Sequence, residues 1–227
     1  MRHEVLPVAR HMPSLHGLPL AAPEVLLCGC PELVGTSFSY GREEEIFGEG
    51  EDAEFVYKVV HGAVRTCKML SDGRRQIDAF HLPGDLFGFE TAARHRMTAE
   101  AVADTTVLLF RRRQIEDTAN RDVATARKLW DVTMRTLGHA QEHMILLGRR
   151  TALERVAAFL THMDERLGGS GQVDLAMPRR DIADYLGLTL ETVSRALSQL
   201  QQDGVLRLDG ARKIMLDRSR MAAIVED

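Results

Sequence analysis

Arg179-Arg180-Asp181-Ile182-Ala183-Asp184-Tyr185-Leu186-Gly187-Leu188-Thr189-Leu190-Glu191-Thr192-Val193-Ser194-Arg195-Ala196-Leu197 holds two short helical patterns separated by one glycine-led turn. Ala183 is small where two helices must cross closely, Gly187 permits the turn, and Ile182, Leu186, Val193, Ala196 and Leu197 supply the apolar faces that lock the pair together. Thr189 is a natural N-cap for the second helix. It places Leu190, Glu191, Ser194 and Arg195 on the first turn and a half. This is the helix-turn-helix layout, in which the N-terminal residues of the second helix enter the DNA major groove.

The side chains at those positions suit base edges. Arg195 can donate twice to guanine O6 and N7, and Glu191 can accept from cytosine N4, so the pair can read one G·C step. A surface ion pair is the rival reading, because the two residues stand four apart on one helix face. Downstream, Gly204-Val205-Leu206-Arg207-Leu208 and Lys213-Ile214-Met215-Leu216 alternate around Asp209-Gly210, which predicts a two-stranded wing. Arg179, Thr189, Thr192, Arg212 and Lys213 are the expected phosphate contacts, with Arg207 near the same backbone. The wing-tip cations are exposed whether or not DNA is the partner.

Upstream, Ala152 to Leu167 is amphipathic and ends at Gly168-Gly169-Ser170-Gly171, and Gly148-Arg149-Arg150 marks a hinge, so a DNA-reading domain over 149–227 is expected. From 113 to 148 the pattern is that of one long helix. Val123, Ala126, Trp130, Thr133, Leu137, Ala140, Met144 and Leu147 recur at steps of three and four, a heptad seam. Such a stripe packs either into its own chain's core or against a second copy. A helix between two domains cannot bury every face in its own chain, and Leu129, Val132, Met134 and Ile145 offer a second apolar side to the preceding domain. The seam is therefore read as a homodimer contact, matching the two-fold symmetry of palindromic DNA sites.

Residues 36–110 are punctuated by Gly41, Gly48, Gly50, Gly62, Gly73, Gly84 and Gly88, with short strands such as 55–60 and 105–110 between them. Ser71-Asp72-Gly73 predicts a hairpin turn between 64–69 and 76–80. An antiparallel roll over 23–112 follows, giving an α+β fold: roll, long helix, winged helix-turn-helix. Residues 1–22, cut by Pro7, Pro13 and Pro19, read as a mobile arm.

Charge alone does not suggest nucleic acid. The chain of 227 residues has a formal net charge of −4, and 149–227 carries 12 basic and 12 acidic residues. The excess acid lies upstream, much of it in Glu43, Glu44, Glu45, Glu49, Glu51, Asp52 and Glu54, read as a solvated face. Three cysteines, Cys28, Cys30 and Cys67, fit a reducing cytoplasm better than a disulfide scaffold. No stretch approaches the roughly 20 apolar residues of a membrane span.

The glycine-punctuated roll, the long helix and the run from Asp181 to Arg195 together resemble the CRP/FNR family of bacterial transcription regulators, from about residue 36 to the end. Leu190 with Glu191, Ser194 and Arg195 looks like the FNR and FixK branch; the cyclic-AMP branch carries arginine and glycine in place of Leu190 and Ser194. The resemblance implies a TTGA half-site in a TTGAT…ATCAA palindrome, with Leu190 against a thymine methyl. It also implies activation through RNA polymerase and genes of microaerobic respiration and nitrogen fixation. Three departures stand out. The family's nucleotide-binding cassette has Gly-Glu and a following Arg-Ser; here the segment reads Gly88-Phe89-Glu90-Thr91-Ala92-Ala93-Arg94-His95-Arg96-Met97-Thr98, so no cyclic-AMP response is expected. An iron-sulfur centre takes four thiolates, one more than the chain has. Pro178 stands where similar sequences carry a hydroxyl cap, which predicts a shifted start for the helix after it.

No catalytic residue, metal site or cofactor is expected. A ligand-gated repressor of the same fold is one rival. A cupin-like enzyme is another, but His61, His81 and His95 stand apart and form no ligand set. A bare structural adaptor leaves Glu191 and Arg195 unexplained.

Overall fold

The computed structural model describes residues 30, 32–149, 151–210 and 212–226. The expected arm over 1–22, Cys28 with Gly29, and Arg150 of the expected hinge lie outside the described residues. Among the described residues eight strands form the first part of the fold: β1 (Thr36–Tyr40), β2 (Glu45–Phe47), β3 (Phe55–His61), β4 (Val64–Met69), β5 (Arg75–His81), β6 (Leu86–Phe87), β7 (Thr98–Ala101) and β8 (Thr105–Arg111). They make two antiparallel sheets of order β1-β8-β3-β6 and β2-β7-β4-β5. The expected hairpin turn joins β4 to β5: Gly73 takes φ +84°, its N–H donates to the Leu70 carbonyl at 2.9 Å, and Met69 pairs with Arg75.

One core fills the space between the sheets, where Phe47, Tyr57 and Phe87 contact one another with Val59, Val64, Ala99 and Val107 around them. A second cluster, including Val56, Leu86, Leu108 and Phe110, faces the helices that follow.

Those helices are two, not one. α1 (Arg112–Arg121) ends at Asp122, whose extended backbone breaks the run and whose carboxylate accepts from Ala124 and Thr125 N–H to start α2 (Val123–Leu147). The single helix read over 113–148 is corrected by that cap: an aspartate with N–H groups ahead of it starts a new helix. Leu129 and Val132 pack on the roll cluster as expected. Met134 and Ile145 do not and are exposed. At 3.6 residues per turn, five and sixteen positions beyond Leu129 rotate them about 140° and 160° away from the roll.

After Gly148, Thr151 caps α3 (Ala152–Arg166), accepting from Glu154 N–H. Strand β9 (Gln172–Asp174), helices α4 (Arg179–Leu186) and α5 (Leu190–Gln202), strands β10 (Leu206–Asp209) and β11 (Lys213–Leu216) and helix α6 (Arg218–Glu226) complete the chain. The wing expected as two strands is a three-stranded sheet of order β10-β11-β9, because Val173 pairs with Ile214 and adds an edge. A single core runs across this domain and onto the roll: Phe159, Leu160, Tyr185 and Leu186 pack with Cys67, Ile77, Phe80 and Leu82.

Candidate nucleic-acid interface

α4 and α5 cross as the sequence requires. Gly187 closes α4 in the left-handed region (φ +63°), its N–H and that of Leu188 both returning to the Ala183 carbonyl. Pro178 sits at the N-cap of α4, one place before the first turn where proline was expected to act, and offers no side-chain acceptor; the helix begins at Arg179. Thr189 caps α5, accepting from Thr192 N–H at 3.2 Å, with the two threonine hydroxyls 3.0 Å apart.

Val193, Ala196, Leu197 and Leu200 turn into the core. The opposite face is left to solvent: Leu190, Glu191 and Arg195 are exposed and Ser194 is half-buried. The Glu191 carboxyl is held below the usual carboxylate range, first by its own backbone N–H, then by the Thr189 hydroxyl and the charge of Arg195. It is therefore an ionised acceptor at neutral pH. No ion pair within 4.0 Å joins it to Arg195, so the surface-pair reading is not realised and both head groups face water. Arg179 is half-buried at the start of α4; Arg207, Arg212 and Lys213 are exposed on the wing. Sequence reasoning passed over Ser198, Gln199 and Gln202, which line a shallow groove with Ser194 and Arg195. The signal was there, since Ser198 and Gln199 stand one turn beyond Ser194 and Arg195.

The seam residues are distributed on α2 as follows. Val123, Trp130, Thr133, Leu137, Ala140 and Met144 are exposed, with Trp130 at 66% and Met144 at 68%, while Ala126 and Leu147 are half-buried. Exposed Met134 and Ile145 widen this stripe. The opposite side holds the rest of the molecule: the His143 ring stacks on Tyr185 at 3.8 Å and its Nε2–H donates to the Tyr185 carbonyl at 2.8 Å.

In the roll, the segment Gly88–Thr98 does not present an arginine to the interior. Arg94 and Arg96 are 72% and 74% exposed, and Glu90 turns to the Arg96 backbone N–H and guanidinium. His95 enters instead, stacked on Phe47 at 3.6 Å, with burial lowering its pKa. Cys67 is buried, and burial pushes its thiol up to about 11, so it is unreactive at neutral pH.

A roll carried through a long helix to a winged helix-turn-helix defines a DNA-binding transcription regulator rather than an enzyme. Comparison with known proteins agrees: residues 37–122 match the cyclic nucleotide-binding domain and residues 154–224 the Crp-like helix-turn-helix domain. The chain is 47% identical over 194 residues to the nitrogen fixation regulation protein FixK of Azorhizobium caulinodans, covering 83% of this chain and 78% of that one. It is 35% identical over 188 residues to the transcriptional activator protein FnrL of Cereibacter sphaeroides, covering 78% and 75%. The structure of FixK2 from Bradyrhizobium japonicum superposes with a TM-score of 0.80 at 60% identity, covering 85% of this chain and 98% of that one. The chain belongs to the CRP/FNR family of transcription regulators and is FixK-like.

Proposed function

We propose that the protein is a homodimeric activator in the cytoplasm that reads a TTGAT…ATCAA palindrome and controls genes of microaerobic respiration or nitrogen fixation. The observation that carries this reading is the face of α5, on which Leu190, an ionised Glu191 and Arg195 are exposed to solvent beside a half-buried Ser194. Arg195 donates to guanine, Glu191 accepts from the paired cytosine, and Leu190 packs on a thymine methyl. Arg179, Thr189, Thr192, Arg212 and Lys213 fix the register on phosphates.

The exposed stripe of α2 supports pairing of two copies, since apolar side chains of this size in one row find cover in a dimer. The names of the relatives support nitrogen-fixation genes and support activation, which makes RNA polymerase the protein partner. The roll takes no classical effector: its interior is filled by Phe47, Tyr57, Phe87 and His95, and Arg94 and Arg96 point away from it. These residues do not fit a cyclic phosphate. Titration of labelled duplexes at fixed salt, with sedimentation of the complex, tests the reading. It predicts two chains per palindrome and much weaker binding when either TTGA is scrambled; one chain per duplex, or indifference to scrambling, contradicts it.

A regulator gated by a small molecule is the second reading. A partly open cavity of about 180 Å³ between the roll, α2, α3 and α4 favours it, lined by His81, Arg135, His139, His162, Arg166 and Tyr185. DNA binding by purified protein that depends on added metabolite would decide for it.

A further inference from the structure

A cluster of charges lies between the roll and α4, on the side of the helix-turn-helix away from the reading face. Arg65 of β4 and Asp181 of α4 are each only 2% exposed, although 116 positions separate them. Arg65 uses all three of its nitrogens. Nε donates to Glu100 at 2.8 Å, Nη1 to Asp181 at 2.6 Å and Nη2 to Glu43 at 2.6 Å. The other oxygen of Asp181 accepts from Arg75 of β5 at 2.5 Å, and the same Arg75 nitrogen lies 2.8 Å from Asp184. Two arginines of adjacent strands thus grip positions i and i+3 of one helix.

Backbone strain points to the same place. Among the described residues Glu43 is the non-glycine residue with positive φ, at 66°. A left-handed glutamate is costly and persists where surrounding structure demands it. Its N–H donates to the Ala101 carbonyl at 2.8 Å and its carboxylate holds Arg65, which keeps it below the usual carboxylate range. Glu43 belongs to the acidic run read from sequence as a solvated face, and its side chain stays 52% exposed while one carboxylate edge accepts from the buried Arg65.

The consequence concerns geometry. α4 and α5 form one packed unit, joined by the Gly187 turn and a shared core that includes Ile182, Ala183, Val193 and Leu197. The DNA-reading domain is tied to α2 by a connection that includes Gly148. Fixing α4 on β4 and β5 therefore fixes the direction of α5 relative to α2. In a dimer built on α2, that sets the distance between two reading helices, which must match about one turn of DNA.

We propose that Arg65 and Arg75 are positioning residues for DNA recognition: with Asp181 and Asp184 they hold the reading helices at palindrome spacing, so that the chain's own charges do what a bound effector would otherwise do. This rests on the dimeric, effector-independent reading above. The arrangement they hold leaves α5 open to DNA.

The test uses the full chain and separates spacing from folding. Arg75→Met, Arg65→Met and Asp184→Asn are titrated against the palindrome and against a duplex with a single half-site. Simultaneous engagement of two half-sites depends on geometry, so each variant is expected to lose about tenfold or more on the palindrome and less than about twofold on the half-site. Asp184 and Arg75 are partly exposed, so those two variants carry the test if Arg65→Met fails to fold. Equal losses on both duplexes, as a merely destabilised fold would give, overturn the proposal, and so does no loss on either. A wild-type chain that is monomeric, or that binds palindrome and half-site alike, overturns the dimeric reading as well, so the two failures are distinguishable.

Discussion

The two sides of the helix-turn-helix contrast sharply. On α5, Glu191 and Arg195 have no ion-pair partner among the described residues and sit in water; on α4, Asp181 is buried with both oxygens bound by arginines of the roll. Groups meant for an outside partner stay solvated until it arrives, at little cost. Groups that hold the fold must be satisfied internally, because a buried charge that loses its partner costs several kcal/mol. Within a few residues the same motif contains a surface left open for DNA and one closed on its own chain.

Breaking the closed side has the largest expected effect. Asp181→Ala leaves Arg65 and Arg75 each short of a partner, and denaturant unfolding is expected to show a loss of about 3 to 5 kcal/mol. A loss below about 1 kcal/mol would mean that water replaces the carboxylate and the contrast is false. On the open side, Arg195→Ala is expected to cost about 1 to 3 kcal/mol of DNA binding and to relax preference at the guanine. Its unfolding curve should match wild type. Equal losses on specific and random duplexes would remove its base-reading role.

A smaller effect separates the two sides by pH. Burial lowers His81 to about 4, and it also lowers His95 and His162. Each is neutral in the folded protein, while the unfolded chain takes up protons near pH 6.5. Stability is therefore full above that value and is lost as pH falls toward 4; between pH 7 and 5.5 His81 alone accounts for about 1 kcal/mol. His81→Phe should flatten that part of the profile. The base-reading face carries no histidine, so specificity in the same range should hold. The smallest change is expected for Arg179→Ala, which should weaken all duplexes alike and lower the slope of log affinity against log salt by about 1.

Much of this was legible in the sequence, and what was not shares a cause. The turn at Gly187, the cap at Thr189 and the apolar face of α5 are local, and local spacing displays them. The break at Asp122 was local too, but it lies in a run without glycine or proline, where an aspartate that caps a helix looks like one more surface acid. Nothing in the neighbourhood of Arg65 or Asp181 announces their pairing, because it depends on how the roll and the DNA-reading domain meet. Met134 and Ile145 were placed on the wrong side for the same reason: periodicity identifies a stripe, but only packing decides which stripe touches the roll. The third wing strand came from β9, more than thirty residues before its partner strand.

Selection of binding sites from random duplex DNA tests the central claim most directly. Two inverted TTGA half-sites at one fixed spacing, enriched by wild type and lost at the guanine in Arg195→Ala, are the predicted result. Enrichment of an unrelated or non-palindromic sequence, or no enrichment at all, would contradict the account.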